Sequence, residues 1–400
     1  MTSATGQAGH LVVIGGCGRV GLSLAILAAV TGRRTTICDV NLEAVEQVRA
    51  GNMPFMEIGA EPLLREALDS GRLTATTDPR SVSAAAIVVL VIGTPLDDHL
   101  TPRVDVVLEV LDLYLPHLRD GQTIVLRSTV FPGISERVQR FFERAGLDIS
   151  VTFCPERISQ GHAIRELREL PQIISTFSER GLEAARSLFQ PFAPEIIIVS
   201  PLEAELAKLF SNTYRYIQFA IANQFYTIAT SQGADYRAIE HAMRHQYPRL
   251  EGMASPGLAA GPCLFKDTMQ LAAFTKHSFS LGLAAVWVNE GLPQVLVDQL
   301  RSRCDLSNST VGILGMTFKA DSDDTRDSLS YKLRKLVRLE ARETLCHDPY
   351  VVDASFVPLD ELIMRSNAII VGTPHREYRS LVIPKSTVVV DVWDFLEGAQ

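Results

Sequence analysis

The run Leu11-Val12-Val13-Ile14, opening onto Gly16-Cys17-Gly18-Arg19-Val20-Gly21, leaves the first part of this chain few folds to choose from. Short apolar runs rich in β-branched residues suit a buried strand, and Arg19 to Thr31 carries the periodicity of a helix. A strand, a glycine turn and a helix in immediate succession are the setting that a GxGxxG motif needs to hold a dinucleotide. Gly16 permits the tight turn, Gly18 lets backbone amides approach a pyrophosphate, and Gly21 lets the helix pack close to the strand. Asp39 closes the next strand, 18 residues after Gly21, where a carboxylate accepts hydrogen bonds from an adenosine ribose and repels a 2′-phosphate. NAD is therefore expected rather than NADP. Arg19, Arg33 and Arg34 are the contrary signal, because an arginine near the ribose accommodates a phosphate.

From His10 to about Ser200, short apolar runs alternate with amphipathic stretches, as in a sheet of parallel strands covered by helices on both faces. Expected strands are Leu11 to Ile14, Thr35 to Cys38, Ala86 to Ile92, Thr123 to Arg127, Ile149 to Phe153 and Ile196 to Val199. Helices are expected over Arg19 to Thr31, Leu42 to Ala50, Val104 to Leu115 and Ile134 to Ala145. The middle differs. Pro201 suits a first helical turn, Leu202 to Gln232 runs without glycine or proline, and Asp235 to Arg244 makes a further helix. Pro248 to Pro262 reads as a loop, and Asp267 to Ser302 resumes helical spacing. A second strand and helix alternation follows, through Thr310 to Leu314, Tyr331 to Leu339, Ala368 to Val371 and Thr387 to Val390. The expected fold class is α/β: an N-terminal Rossmann-type doubly wound domain over residues 1–200, a central long-helix segment over 201–305, and a C-terminal Rossmann-like domain over 306–400.

With 400 residues, 46% of them hydrophobic, the chain has material for large cores. Its net charge of -8 is spread without basic blocks, which argues against nucleic acid. No uninterrupted apolar stretch reaches the length of a membrane span, and Met1 to His10 has no basic leader pattern. The six cysteines lack CxxC spacing, which fits neither a disulfide framework nor a zinc site. A cytoplasmic protein that needs no metal is the expectation, and His245, His277 and His375 show no ligand spacing.

Gly261-Pro262-Cys263-Leu264-Phe265-Lys266-Asp267 sets one cysteine just ahead of a helix, where N-terminal amides and Lys266 can stabilise a thiolate. Other motifs stand in order around it. They are Asp39-Val40-Asn41, Arg49 to Phe55 with Glu57, Gly93-Thr94-Pro95, Ser128-Thr129-Val130-Phe131-Pro132-Gly133, and Pro155-Glu156-Arg157 followed by Gly161. Lys208 and Asn212, then Arg249 after Tyr247-Pro248, precede the cysteine; Gly315-Met316-Thr317-Phe318-Lys319 and Asp324-Thr325-Arg326-Asp327-Ser328 follow it. In this order the chain resembles the UDP-glucose and GDP-mannose dehydrogenase family along nearly its whole length. Its Pro-Glu-Arg element has the form common among dehydrogenases of N-acetylated UDP sugars.

The resemblance implies an NAD-dependent, four-electron oxidation of the C6 alcohol of a nucleotide sugar to a uronic acid, through a thiohemiacetal and then a thioester on Cys263. A thiolate is both a strong nucleophile and a good leaving group, which suits each role. Lys208 and Asn212, four apart on one helix face, would bind the developing oxyanion. Asp267 with the Thr129 hydroxyl would position or deprotonate water, with Glu156 a second acid-base candidate. Around the cofactor the resemblance sets Gly16, Gly18, Arg19, Val20, Gly21, Asp39, Thr94, Pro95, Ser128, Thr129, Lys266 and Arg326. Around the substrate it sets Glu156, Arg157, Lys208, Asn212, Arg249, Gly257, Cys263 and Lys319. Arg249 resembles a residue that reaches into a partner subunit, implying a homodimer whose interface includes the long helix.

The chain departs from the family pattern at four places: Arg19 where tyrosine is frequent, Ala260 where a second glycine is usual, Ile134 for threonine, and Asp391-Val392-Trp393 where many relatives carry arginine. A UDP-N-acetylhexosamine is the first expectation for the substrate, then UDP-glucose or GDP-mannose. A family member that binds nucleotide sugars without turnover, and an ordinary two-electron hydroxyacid dehydrogenase, are the rival readings. Neither requires the set Thr129, Glu156, Lys208, Asn212, Cys263 and Asp267 to be intact.

Overall fold

A computed structural model describes residues 9–276 and 278–396, so His277 lies outside the described residues. The chain divides into two compact units between Phe210 and Ser211. In chain order the first holds β1 (Leu11–Ile14), α1 (Arg19–Val30), β2 (Thr35–Cys38), α2 (Leu42–Arg49), α3 (Ala60–Asp69), β3 (Leu73–Thr76), β4 (Ile87–Leu90), α4 (Val106–Tyr114), β5 (Thr123–Leu126), α5 (Ile134–Arg144), β6 (Ser150–Phe153), α6 (Ala163–Glu169), β7 (Gln172–Thr176), α7 (Glu179–Phe189) and β8 (Ile196–Ile198). Then α8 (Pro201–Ser231) runs across the division.

The strands form one sheet in the order β3-β2-β1-β4-β5-β6-β7-β8. Alternation along the strands builds a core on each face: Leu11 and Val13 pack with α1, while Val12 and Ile14 pack with residues of α4 and α5. This two-sided burial is why β1 and β4 read as continuous apolar runs, and why β2 and β5 add only β-branched threonines to theirs. The expectation of a wholly parallel sheet is corrected at β7, which pairs antiparallel with β6 and parallel with β8. The link from β6 contains one helix of seven residues, about 10 Å long, which leaves the chain near the edge where β6 ended. β1 lies between β2 and β4, so successive connections leave it in opposite directions and a crevice opens beyond the carboxyl ends of β1 and β4. The glycine turn sits there.

The second unit contains α9 (Tyr236–Arg244), α10 (Leu264–Phe274), α11 (Ser280–Arg301), β9 (Thr310–Leu314), α12 (Leu329–Glu340), β10 (Glu343–His347), α13 (Leu359–Arg365), β11 (Ala368–Val371) and β12 (Val388–Val390). Its sheet, in the order β10-β9-β11-β12, is parallel throughout. The helical stretch expected from Asp267 to Ser302 is two helices. The first stops at Thr275, and Lys276 takes a positive φ of 52° that no helix continues through. No helix among the described residues is long and apolar enough to cross a membrane.

Candidate active site

In the first unit the glycine turn is tighter than the sequence suggests. The residue with positive φ is Gly15, at 71°, and a Cβ there would stand 1.9 Å from the carbonyl oxygen of Val91. Gly15, not Gly16, thus makes the turn, whereas Gly16 supplies room: its Cβ would press on Val13 O and Ile37. At Gly21 a Cβ would come within 2.8 Å of the Gly16 Cα, so α1 can start flush against β1 only with glycine there. Gly18 begins α1 as an exposed cap without a side-chain hydrogen bond, leaving the first amides of the helix to an anion. The Asp39 carboxylate accepts from Cys17 N at 2.9 Å and Asn41 N at 3.0 Å, which fixes it at the turn. The cradle fits a dinucleotide with an unphosphorylated ribose.

Arg33 and Arg34 do not stand at that ribose position. They precede β2 at the edge opposite Asp39, where buried Arg33 donates to Gly9 O and Ser187 O. Arg19 lies at the mouth of the turn with its guanidinium 4.9 Å from the centre of the Phe55 ring. Val20 follows it, half-buried.

The neighbouring strand ends are tied into one rim. Ser128 Oγ accepts from Ile92 N at 2.7 Å, and Thr94 Oγ1 donates to Thr129 O at 2.6 Å, so the Gly93-Thr94-Pro95 turn and the Thr129 segment hold each other. Glu156, half-exposed after β6, accepts from Ile158 N, and Arg157 donates to Pro171 O. Arg127 escaped sequence reading here, and Glu57 stood in a motif without a role. Glu57, whose carboxyl burial pushes up, accepts from Gly161 N and so ties the Glu156 loop to the segment after α2. Arg127, buried beneath that loop, donates to Cys154 O and Gln172 Oε1 and covers the Phe189 ring. Lys208, on α8, is 6% exposed.

In the second unit Cys263 is exposed and caps α10, its carbonyl accepting from Asp267 N at 2.9 Å. One turn on, the fully buried Asp267 takes Lys266 Nζ on Oδ1 at 2.7 Å and Asn212 Nδ2 on Oδ2 at 2.6 Å. An ammonium, a carboxylate and an amide are thereby locked in line beneath the cysteine turn. The same turn is docked by Gly261, at φ 100°, whose N donates to Asp327 O and whose missing Cβ makes room for the Phe318 ring. Arg326 grips Asp324 through two nitrogens, which raises its pKa, and lies within electrostatic reach of Cys263. Lys266 and Arg326, expected at the cofactor, lie in the same unit as Cys263.

Buried Gly257 both donates to and accepts from the Asn223 amide, and a Cβ on it would strike Trp393. Arg249 is exposed on a short turn beside the Tyr247 ring, and Lys319 is half-exposed at the second glycine turn. That turn is held from within: Asp348 Oδ2 accepts from Met316 N and Thr317 N, and His375 stands 3.0 Å from the same oxygen. Because Asp321 N donates to His375 Nδ1, the proton is on Nε2 and points at the carboxylate. His375 is therefore a buried pin of the turn, not incidental. His245 is exposed.

A dinucleotide turn in one unit, and in the other an exposed thiol beside a half-buried ammonium and a buried carboxylate and amide, are groups that suit a dehydrogenase. The chain belongs to the UDP-glucose/GDP-mannose dehydrogenase family: the model of its NAD binding domain matches residues 10–193, the central domain 202–290 and the UDP binding domain 312–398. It is 29% identical over 389 residues to the UDP-N-acetyl-D-mannosamine dehydrogenase of Pyrococcus horikoshii, covering 92% of this chain and 90% of that one. A solved structure of a UDP-D-ManNAc dehydrogenase from that organism matches with a TM-score of 0.90 at 27% identity, over 97% of this chain and 96% of the other. A UDP-glucose dehydrogenase from Pyrobaculum islandicum matches with a TM-score of 0.88 at 26% identity, over 98% and 95%. The chain is thus an NAD-dependent nucleotide-sugar dehydrogenase.

Proposed function

We propose that this chain oxidises the C6 alcohol of a UDP-N-acetylhexosamine to the carboxylate through a covalent intermediate on Cys263. The setting of Cys263 carries the reading: an exposed thiol at a helix N-terminus, one turn before an Asp267 held between Lys266 and Asn212. Helix amides and a nearby ammonium favour thiolate. The Pro155-Glu156-Arg157 form and the mannosamine relative favour an N-acetylated sugar.

Bound at the first glycine turn, NAD supplies the hydride acceptor for each of the two oxidations. The Cys263 thiolate adds to the carbon of the aldehyde, forming a C–S bond and an alkoxide, which Lys208 and Asn212 stabilise by charge and hydrogen bonding. After the second oxidation the adduct is a thioester. Water held by the Thr129 hydroxyl attacks its carbonyl and passes a proton to a carboxylate, Asp267 or Glu156. The C–S bond breaks, thiolate leaves and the uronate is released. Each Asp267 oxygen retains a second lone pair for water beyond the bond it already accepts. Arg157, Gly257 and Lys319 are assigned to the substrate, and Arg19, Val20, Pro95 and Ser128 to the cofactor side.

A panel of UDP-N-acetylmannosamine, UDP-N-acetylglucosamine, UDP-glucose and GDP-mannose should show highest kcat/KM on an N-acetylated UDP sugar, with two NADH released per sugar. One NADH and a free aldehyde would overturn the covalent scheme, and binding without any NADH would support the non-enzymatic reading.

We further propose three functional modules, at residues 1–200, 201–305 and 306–400, and a homodimer formed along α8 to which Arg249 contributes across the interface. Tyr214, Ile221, Phe225 and Ile228 are exposed on α8 at seven-, four- and three-residue steps, which is one apolar stripe. A stripe of this kind faces another helix more readily than water. Phe225→Glu should turn a dimer into a monomer in sedimentation velocity. An unchanged dimer would remove α8 from the interface.

A further inference from the structure

Glu205 is 1% exposed, and both its oxygens are spent on the start of α5: Gly133 N donates to Oε2 at 2.6 Å and Ser135 N to Oε1 at 2.8 Å. Burial pushes its carboxyl up, so the position carries a cost that an apolar residue would not. Nothing in the chemistry above uses it.

Its place relative to two other side chains suggests what it does. The segment from Ser128 to Gly133, which carries Thr129, is fixed at its first end by Ser128 on Ile92 N and by Thr94 on Thr129 O. Its far end is Gly133, at φ 94°, whose amide is held by the Glu205 carboxylate. Glu205 itself stands three residues before Lys208 on α8, hence on the same helix face. One carboxylate therefore joins the Thr129 segment to the helix that carries Lys208. We propose that Glu205 is a positioning residue that fixes the Thr129 hydroxyl relative to the Lys208 ammonium, and so sets the rate of thioester hydrolysis. This rests on the assignment of Thr129 to the hydrolytic water.

Glu205→Gln keeps the shape but turns an NH2 group toward a backbone N–H. It should lower kcat about 30-fold, the scale of a sub-ångström misplacement, with KM for NAD and for the sugar changed less than about threefold. Acid-quenched enzyme should carry the acyl-sugar adduct on Cys263 by intact mass, after a burst of two NADH per site. Thr129→Ala should accumulate the same adduct, and the double variant should be no more than about twofold slower than Thr129→Ala alone. A wild-type rate in Glu205→Gln while Thr129→Ala is slow, or a multiplicative double variant, would overturn the inference and leave the assignment of Thr129 standing. A wild-type rate in Thr129→Ala would overturn both. If Glu205→Gln does not fold, Glu205→Asp, which keeps the charge but is too short to reach both amides, is judged by the same outcomes.

Discussion

Replacing Cys263 by alanine should leave a protein that folds and binds both ligands yet releases no uronate. The side chain is exposed and takes no part in a buried core, so its loss costs less than about 1 kcal/mol of stability. Chemically the expected loss is large, because in the proposed scheme the carbon–sulfur bond that retains and activates the aldehyde forms on Cys263. Removing a covalent nucleophile lowers turnover by about 10⁴-fold or more. NADH formation with saturating sugar, together with a melting curve, separates the two effects. Turnover within tenfold of wild type would exclude Cys263 as the nucleophile.

The second large effect is expected at Gly15. Valine there meets two obstacles: a positive φ that a β-branched residue does not tolerate, and the Val91 carbonyl, 1.9 Å from the new Cβ. Both atoms of the clash are in or attached to backbone at the centre of the sheet, so no side chain can swing aside. The cost should exceed about 3 kcal/mol, which for a unit of this size lowers the melting temperature by about 6–12 °C. Wild-type protein at a hundredfold excess of NAD over Kd should gain about 2.7 kcal/mol, and Gly15→Val should gain almost none. A variant with normal NAD affinity would show that the turn bends elsewhere.

Strands buried on both faces were legible in the sequence because they are dominated by apolar and β-branched residues: β1, β2, β9 and β11 fall on the residues expected. β3 (Leu-Thr-Ala-Thr) and β10 (Glu-Thr-Leu-Cys-His) were not, since these edge strands bury only two residues each and contain polar ones. β7 begins with a glutamine whose burial depends on Arg127, a partner 45 residues away. α3 was hidden by Pro62, which the first turn of a helix tolerates.

The same limit governs the site. Glycine spacing and the order of short motifs point to the turn and to Cys263, because those residue types are rarely needed together for anything else. Glu57, Arg127 and Glu205 look like ordinary solvated charges on loops and helices. Their roles come from backbone amides and carbonyls far away in the chain, and a backbone group has no letter in a sequence.

Both units place an aspartate just after the strand that follows their glycine turn, Asp39 after β2 and Asp348 after β10. In the first unit the carboxylate is only half-buried and can still receive a hydroxyl pair. In the second, Oδ2 is occupied by two amides and a histidine, and Oδ1 by Tyr350 N. The later copy of the architecture has spent on its own rigidity the kind of group that the earlier one leaves open, so a ribose arriving at the second turn would find no vacant carboxylate and a ligand there has to be held by different means.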